Sequence, residues 1–568
     1  MDEKPHRGLY PIQNADYSSQ YANPPTNVQE TTGFPRSIRA LRDARNSDYH
    51  GRTVVICLDG TGDRFDNDNS NVVHFVSCLK KHSPHEQVTY YQSGIGTYDK
   101  GGLKGGLGAA LDMTVGSGLG MHIKDAYRFL MQSYREGDKI CLLGFSRGAY
   151  AVRCLAGMLH KVGLLPASNG AQVNFAYDFY KDDTPQGWKM SAEFKKTFCT
   201  NVDVYFVGLW DCVASVGFFP RKLPFSKTPT NHIHYFRHAM ALDEHRSKFK
   251  VCQWQHQDPD LNRRVTIDHT PRAQLKRGLK RTGFLKAVGK SKPATVSIDL
   301  SAPRNGYTTV TNGSHGEQGC SVKTKTHEED EQEELAAYFE AIDFARTHRQ
   351  QKTDALEVWF KGCHADIGGG AVANETRHML SRIPLRWMVR QCFECDTGIA
   401  FDVAALAEIG LDVHNLWPKY TPMRKPPIGP SPSLVEKYFN KSFPPIHRRS
   451  LFLRFEDDDK EADKLPGDHH IAHLSECTED YFDSQQDVND MLDQAKWWWI
   501  LELWPVKVRL LAPDGDCWEK RVRMNRGRYR AIRETTPKFH WTVERLVEEG
   551  KYEIKGRVER DAHWEAAV

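Results

Sequence analysis

The sequence predicts an α/β protein with a doubly wound, mostly parallel β-sheet, helical insertions and a C-terminal Trp-rich extension. Short apolar runs typical of buried strands recur along the chain between loops and helical segments. One of them, KICLL, turns into an Ala-rich helix within the five residues GFSRG. Polar residues follow other runs directly, at the strand ends where open parallel sheets bind ligands. These observations favour a sheet with its functional residues at the carboxyl ends of the strands.

Length and composition limit the class of protein. At 568 residues the chain is too long for one compact core. It is 39% hydrophobic and 26% charged with a net charge of +4, so no overall basic field indicates a nucleic-acid partner. No run of about 18 apolar residues is present to cross a bilayer.

The N-terminal residues and the cysteines favour an intracellular protein. Residues 1–50 are polar, which predicts an N-terminal arm, and they lack the apolar core of a signal peptide. The 13 cysteines are scattered, and Cys57, Cys141 and Cys154 lie within apolar runs, as reduced core thiols do. We therefore expect a cytoplasmic protein whose membrane contact, if it has any, is peripheral.

The first strand and its loop supply candidates for substrate binding. Residues 54–58 form an apolar run, and a helix begins near Ser70. The loop DGTGD lies between them. The backbone N–H groups of Thr61 and Gly62 are candidate oxyanion donors. Asp59 could orient the loop, hold a cation or cap its own turn.

A glycine-rich span follows the second strand, which we expect over residues 88–91. Its glycines suggest a phosphate-binding loop, but there is no Gly-Lys-Ser/Thr and no G-x-G-x-x-G directly after a strand. A lid or a close-packed loop beside the site is the better interpretation. The helix that follows, from Met121, carries an apolar face at helical spacing.

Ser146 lies at the apex of the strand-to-helix turn, which has the G-x-S-x-G pattern of a nucleophile elbow. Gly144 and Gly148 let the strand and the helix approach closely, and the turn exposes the serine hydroxyl. A serine in an ordinary turn is the alternative. The backbone N–H of Arg147 is a further candidate oxyanion donor.

Four segments follow the elbow helix. Residues 166–200 predict a helical cap insertion. Residues 204–209 predict a buried strand with Asp211 just past its end, and residues 231–250 suggest a histidine-rich helix. Residues 260–335 run from a basic stretch into the acidic EEDEQEE, which predicts a disordered charged insertion. Its basic half could contact an anionic surface.

The last predicted strand of the catalytic core covers residues 356–360. His364 follows its end, and a tight turn begins at Gly368. Asp366 is too close to His364 in sequence to orient its ring, so it could brace the GGG loop or contact substrate. Residues 391–568 form the C-terminal extension, whose Trp cluster could dock on the core or lie at a membrane surface.

The order Ser146, Asp211, His364 is that of nucleophile, acid and base on α/β-hydrolase sheets. His364 would take the proton from the serine hydroxyl, and Asp211 would orient its ring. His238 and His245 are alternative bases. A metal-assisted hydrolase that uses Asp59 and Asp366 is a second alternative.

Five motifs in order resemble one family: LDGTGDRFDNDNSNV, YYQSGIGT, GFSRGAYAVRCLAGML, GLWDCVASVG and WFKGCHADIGGG. They are similar to the DUF2235 group, α/β-hydrolase domains related to the Tle1-type phospholipase effectors of type VI secretion. The resemblance covers about residues 50–390 and looks strongest to an uncharacterised eukaryotic branch with a Trp-rich tail. It implies that Ser146, Asp211 and His364 form the triad and that the substrate is a carboxylic ester, with phospholipid as the substrate class.

These features together predict a serine hydrolase with phospholipase-like or lipase-like activity. Residues 51–390 would be its catalytic domain. We expect no cofactor, a lipid or other ester as substrate and no nucleic acid. The remaining alternative is a non-catalytic binding or scaffold protein built on the same fold. The oligomeric state is left open.

Overall fold

The computed structural model describes most of the chain. The described residues are 33–47, 49–94, 107–213, 223, 232–254, 353–457, 474–511, 518–559 and 562–568. The predicted insertion over 260–335, most of the predicted N-terminal arm over 1–50 and the start of the glycine-rich span lie outside these ranges.

One eight-stranded sheet organises the molecule, and its strand order is β14-β12-β7-β6-β5-β4-β2-β3. Every neighbouring pair in it is parallel. Its strands are β2 (Thr53–Leu58), β3 (Gln87–Gln92), β4 (Lys139–Phe145), β5 (Val204–Trp210), β6 (Ile233–Ala241), β7 (Asp354–Phe360), β12 (Lys538–His540) and β14 (Glu565–Ala567). Three two-stranded sheets use β1 (Ser37–Arg39) with β8 (Ala400–Asp402), β9 (Pro505–Leu511) with β10 (Trp518–Met524), and β11 (Ala531–Ile532) with β13 (Arg557–Val558).

Helices cover both faces of the main sheet. The α-helices are α1 (Asn71–Ser77), α2 (Leu107–Ser133), α3 (Ser146–Val162), α4 (Val173–Lys181), α5 (Pro185–Phe198), α6 (His364–Gly368), α7 (Arg382–Glu394), α8 (Val403–Glu408), α9 (Pro432–Phe439), α10 (Glu476–Ser484), α11 (Met491–Gln494), α12 (Trp499–Glu502) and α13 (Trp541–Glu548). Short 3-10 helices lie at Gly170–Gln172, Val413–Asn415, Ile446–Phe452 and Lys496–Trp498. The predicted doubly wound α/β fold is therefore confirmed.

The alternation of side chains along each strand builds the two faces. Val54, Ile56 and Leu58 of β2 pack in the cluster that contains α2 and α3, whereas Val55 and Cys57 pack in the cluster that contains α1 and α7. All five side chains are fully buried. This two-sided burial explains why the strand appears in the sequence as a continuous apolar run.

The direction of winding positions the site. The chain passes from β2 to the edge strand β3, then returns across β2 to β4 and continues outward through β5, β6 and β7. Strand order thus reverses beside β2 and β4, and the carboxyl ends of strands at such a reversal form a binding crevice.

The histidine-rich segment over residues 231–250 is not a helix. It contains β6, which pairs with β5 on one side and β7 on the other. Its apolar residues are buried on both faces of the sheet, so the histidines interrupt what would otherwise be an ordinary buried-strand pattern. A polar side chain on a central strand is tolerated because it can find a buried hydrogen-bond partner, which the sequence alone does not reveal.

The predicted cap segment over residues 166–200 contains α4 and α5, and its apolar side chains Val173, Ala176, Tyr180 and Phe194 join the core beside α3. The C-terminal extension contributes β12 and β14 to the main sheet, beyond β7. In the described part of the chain, no helix combines the length and the apolar character needed to cross a membrane.

Candidate active site

The strand β4 passes directly into α3, and Ser146 is the first residue of that helix. Its φ is +58°, an unusual value for a residue other than glycine and one that marks backbone strain at the turn. A Cβ on Gly148 would overlap the carbonyl oxygens of Leu58 and Asp59, and one on Gly144 would lie 2.8 Å from Ala149 N. Both glycines are needed because the helix packs directly on the ends of β2 and β4.

The three residues predicted as a triad are brought together. His364 Nε2 lies 2.8 Å from Ser146 Oγ, and His364 Nδ1 lies 2.6 Å from Asp211 Oδ2. Ser146 follows β4, Asp211 follows β5 and His364 begins α6 after β7, so the three side chains come from the carboxyl ends of three parallel strands. This hydrogen-bonded chain has the connectivity in which an imidazole can move a proton from a serine hydroxyl.

Asp211 is completely buried and accepts hydrogen bonds from several directions. Its Oδ1 accepts from Ala241 N at 3.0 Å and from Arg530 Nη1 at 2.6 Å, and its Oδ2 accepts from Arg530 Nη2 at 2.8 Å as well as from His364. Burial alone would raise the pKa of Asp211, but the charge and hydrogen bonds of Arg530, with those of His364, outweigh it. The pKa of this carboxyl is therefore held well below its usual range, and the group is ionised.

His364 is buried between aromatic rings. Phe145 and Phe249 lie with their ring centroids 4.7 and 4.8 Å from its own. Burial lowers the pKa of His364 below its usual value, and the hydrogen bond and charge of Asp211 oppose that shift without cancelling it. The imidazole is thus neutral near pH 7, the form that can accept a proton.

A buried ion pair lies next to His364. Glu244 accepts a hydrogen bond from His364 N at 3.3 Å and is held by Arg246 Nη2 at 2.7 Å. The Arg246 guanidinium stacks over the Phe249 ring, 3.6 Å from its centroid. The loop after β6 therefore places one negative and one positive side chain next to the histidine.

The candidate oxyanion donors lie in the loop after β2 and at the start of α3. Asp63 N donates to Gly60 O at 3.1 Å, which closes a turn with Thr61 and Gly62 at its centre. Gly62 has a φ of +82° and is exposed. Arg147 is the residue after Ser146, as the elbow pattern requires. The role of the three N–H groups in stabilising an oxyanion stays a prediction.

Asp59 ties this loop to its neighbours. It is buried and accepts from Ser70 Oγ at 2.9 Å, Tyr91 Oη at 2.8 Å and Gly60 N at 2.8 Å. Burial is the largest influence on Asp59, and its pKa is raised despite these hydrogen bonds. The contacts fit the loop-orienting interpretation.

Asp366 braces the loop that carries His364. Its carboxylate accepts from Cys363 N at 2.8 Å, from Asn489 N at 3.0 Å and from Asn489 Nδ2 at 2.6 Å. Burial raises the pKa of Asp366 to about 6, against these hydrogen bonds. A Cβ on Gly368 would overlap the Phe145 ring, so the glycine is required where the loop passes the elbow.

The cation hypothesis for Asp59 and Asp366 stays a prediction. Across the ranges that the structure describes, no group of three or more His, Cys, Asp or Glu side chains could hold a metal ion. Both carboxylates accept hydrogen bonds from protein N–H or O–H groups.

The two alternative histidines are engaged elsewhere. His238, on β6, pairs with Glu357 Oε1 at 2.8 Å through Nδ1 and lies 3.0 Å from Cys212 N through Nε2. His245 pairs with Asp490 Oδ2 at 2.7 Å and lies 3.0 Å from Gly527 O. Both ring nitrogens of each residue therefore have partners other than Ser146.

Sequence reasoning missed Arg530. It lies in a basic stretch of the C-terminal extension, WEKRVRMNRGRYR, where nothing in the spacing distinguishes it from its neighbours. Its only distinguishing property is burial, since its side chain is 6% exposed. A buried arginine is usually paired with an acidic group, but the sequence does not identify which one.

Comparison with known proteins identifies the family. Residues 52–391 match the family described as T6SS, Phospholipase effector Tle1-like, catalytic domain. Uncharacterized protein YEL023C of Saccharomyces cerevisiae is 26% identical, over 90% of this chain and 80% of the yeast protein.

Two solved structures show more distant similarity. An uncharacterized protein from Pseudomonas aeruginosa has a TM-score of 0.28 and 14% identity over 61% of this chain and 46% of its own. The Tle1 effector bound to the VgrG spike from the type 6 secretion system has a TM-score of 0.21 and 17% identity over 37% of this chain and 49% of its own. The matched part thus spans about half the length of each solved chain. These scores are too low to carry an argument, whereas the family match covers more than half of the chain. The chain therefore belongs to the Tle1-like family of phospholipase effector catalytic domains, a family of hydrolases.

Proposed function

We propose that this protein is a serine hydrolase that cleaves carboxylic esters, with phospholipids as its substrate class, through an acyl-enzyme. The observation that carries the proposal is the chain of hydrogen bonds from Ser146 through His364 to Asp211 in a member of a phospholipase-like family. A non-catalytic protein would have no need to keep a strained serine in contact with a buried, oriented imidazole.

Each step has a residue to perform it. Ser146 Oγ attacks the ester carbonyl carbon while its proton passes to His364 Nε2, and the carbonyl oxygen becomes an oxyanion. As the carbon–oxygen bond breaks, His364 returns that proton to the leaving alcohol. Water then attacks the acyl carbon while its proton passes to His364. His364 returns that proton to Ser146 Oγ as the carboxylic acid leaves. Asp211 keeps Nδ1 protonated and stabilises the imidazolium between these transfers.

The oxyanion would be held by backbone N–H groups of Arg147 and of the turn at Thr61 and Gly62. The Arg147 N–H follows the nucleophile directly, as in other nucleophile elbows. The turn after β2 is tied down by Asp59, so its N–H groups are held in place before substrate arrives. Loss of one such donor typically raises the barrier by about 3 kcal/mol.

Labelling with a fluorophosphonate probe tests the nucleophile. Wild-type protein should be labelled, and Ser146→Ala and His364→Ala should both abolish labelling. Ser191→Ala is the matched control, because Ser191 is also buried but its hydroxyl donates to Trp188 O in α5. A folded wild-type protein that fails to react, or equal labelling of Ser146→Ala, would overturn the proposal.

The proposal includes contact with a lipid surface, and an aromatic platform on the C-terminal extension supports it. The platform consists of exposed apolar side chains between residues 497 and 504 and on β10: Trp497, Trp499, Ile500, Leu503, Trp504, Val522 and Met524. The exposed Lys496, Arg521 and Arg523 lie among them in sequence. Trp and Leu with basic neighbours are the composition of surfaces that lie in an anionic membrane interface.

The platform is connected to the catalytic histidine. Trp498 packs edge-on against Phe249, with ring centroids 5.5 Å apart, and Phe249 packs against His364. Sedimentation with vesicles of phosphatidylcholine and phosphatidylserine tests the contact. Ile500→Ser with Leu503→Ser should weaken binding at least tenfold, whereas Phe439→Ser, an exposed apolar residue on α9, should not. Equal binding by all three proteins would refute the role of the platform.

We also propose an intracellular site of action. The thiols of Cys57, Cys141 and Cys154 are buried, and proteins of oxidising compartments tend to pair their cysteines instead. Fractionation of cells that express the full chain tests this, and recovery in the secreted fraction would contradict it.

A further inference from the structure

Arg530 contacts the Asp211 carboxylate from the C-terminal extension. Its Nη1 donates to Oδ1 at 2.6 Å and its Nη2 donates to Oδ2 at 2.8 Å, a bidentate pair in which both side chains are buried. Paired N–H groups on one planar fork fix the plane and the orientation of a carboxylate more firmly than a single donor can.

The remaining N–H groups of the guanidinium are also used. Nη1 donates to Ala241 O at 3.0 Å, while Nε and Nη2 donate to Phe249 O at 3.2 and 2.5 Å. All five donors therefore have acceptors, and the side chain is held by the end of β6 and by the loop after it. A group that is fixed in this way can fix its partner.

The consequence for Asp211 is that each of its oxygens has two donors. Oδ1 has Ala241 N and Arg530 Nη1, and Oδ2 has His364 Nδ1 and Arg530 Nη2. The carboxylate cannot rotate away from His364 without breaking a buried ion pair. The charge of Arg530 also opposes that of Asp211, which makes the imidazolium of His364 less favourable than beside an isolated carboxylate.

We propose that Arg530 is a positioning residue for the reaction: it holds Asp211 ionised and oriented toward His364, and it lowers the basicity of that histidine. This proposal rests on the proposed function, since it assigns a role within the same site. It extends that function to a residue outside residues 52–391, the range that matches the family. Within the described ranges, the charged groups that face His364 are Asp211 from the end of β5, Glu244 and Arg246 from the loop after β6, and Arg530 across Asp211.

Steady-state kinetics on a soluble p-nitrophenyl ester over a range of pH test the proposal. Arg530→Gln should lower kcat about 10- to 100-fold, the scale on which outer partners of metal-binding histidines act, with little change in KM. It should also raise the pKa of the acidic limb of kcat/KM by about one unit, because the imidazolium gains stability. Arg530→Lys keeps the charge, so its acidic limb should stay at the wild-type position while kcat falls about tenfold.

The control is Arg533→Gln, three residues further along, where the guanidinium donates to Gln253 and not to the triad. It should leave kcat and the pH profile unchanged. If the acidic limb of kcat/KM in Arg530→Gln stays at the wild-type pH, the proposal is overturned. A purely structural role would lower the amount of active enzyme without moving that limb. If Arg530→Gln does not fold, the test passes to Arg530→Lys, where a displaced limb or an unchanged kcat would overturn it.

A separate measurement distinguishes failure of this proposal from failure of the proposed function. In a Ser146→Ala background with carbon-13-labelled histidine, the pKa of His364 can be measured by NMR without any turnover. Addition of Arg530→Gln should raise that pKa by about one unit. An unchanged value would refute the role of Arg530 even in a protein that hydrolyses esters. A raised value would support it even if wild-type protein does not react with the fluorophosphonate.

Discussion

The strand-end loops of the catalytic core and the C-terminal extension contribute to the site in different ways. The core supplies Ser146, Asp211 and His364, each directly after a buried parallel strand. The extension supplies Arg530 on Asp211 and Asn489 on Asp366, neither of which contacts Ser146 or His364 in the described hydrogen bonds. The hydrogen-bonded triad thus comes from the core alone, whereas some of the contacts that hold its members in place come from the extension.

The two regions also differ in how they are held. Apolar side chains fill both faces of the sheet around β2, β4 and β5, and most of them are completely buried. The join between α7 and α10 depends on buried ion pairs, in which Arg386 contacts Asp480 and Asp483 and Arg390 contacts Glu476. Removal of one partner from a buried ion pair is strongly destabilising, because the other charge is left buried and uncompensated. The extension is thereby docked in a defined position, which Arg530 needs.

The largest effect is expected where the two regions meet, at Asp211. Asp211→Asn removes the acceptor for His364 Nδ1 and leaves the Arg530 charge buried without its partner. We expect kcat to fall by about 10⁴, as for the equivalent change in a serine protease, and the free energy of unfolding to fall by about 3–5 kcal/mol. Ester hydrolysis measures the fall in kcat, and urea unfolding measures the loss of stability.

Asp138→Asn is the matched control, because Asp138 pairs with buried Arg52 far from Ser146 in the fold. It should lower stability while kcat stays near the wild-type value. A normal kcat in Asp211→Asn would remove Asp211 from the mechanism.

Disruption of the join alone should affect stability first. Arg386→Met leaves Asp480 and Asp483 without their buried cation, and we expect a loss of about 4 kcal/mol in the free energy of unfolding. Arg128→Met, which breaks the exposed pair with Asp125, should cost less than about 1 kcal/mol. Urea denaturation compares the two. Equal losses would mean that the extension does not depend on buried charge for its docking.

A change on the core side should displace the elbow. A Cβ at Gly148 would overlap the carbonyl oxygens of Leu58 and Asp59, so Gly148→Ala should force α3 away from β2. Overpacking of this kind typically costs about 1–3 kcal/mol, and labelling of Ser146 should slow as well. Gly170→Ala is the control, because its Cβ would meet nothing within 4 Å. Thermal melts and labelling rates test both, and a Gly148→Ala protein as stable as the control would contradict the close packing.

The last prediction concerns pH, and it compares a histidine of the extension with a histidine of the core. Burial lowers the pKa of His540 in the extension to about 3, with a further contribution from Arg386, and burial lowers that of His74 on α1 to about 4. Below a pH of about 6.5 the unfolded chain binds protons that these folded side chains do not, so stability falls as pH falls toward 4.

Each such histidine should lower the free energy of unfolding by roughly 2 kcal/mol between pH 6.5 and pH 5. His540→Asn removes one of them, so the loss in urea midpoint between pH 7 and pH 5 should be smaller than in wild type. His50→Asn, on an exposed residue, should leave that loss as it is. A loss unchanged by His540→Asn would show that other groups control acid stability.

The sequence allowed the catalytic core to be predicted because its signals are local. A fully buried parallel strand appears as an apolar run, and the elbow requires glycines two residues before and after its serine. The same rules failed for residues 231–250, where β6 was expected to be a helix. Its His238 is satisfied by Glu357 and Cys212, partners that lie 119 and 26 residues away in the chain.

The sequence by itself determined the fold class, the family and the three residues of the hydrogen-bonded triad, because strand ends and turns are encoded by neighbouring residues. Only the tertiary structure decided that Asp211 has Arg530 as its partner and that Asp366 has Asn489. Those contacts join residues separated by 319 and 123 positions. The physical reason is that a buried charge needs hydrogen bonds or an opposite charge, and which partner it meets depends on how distant segments pack.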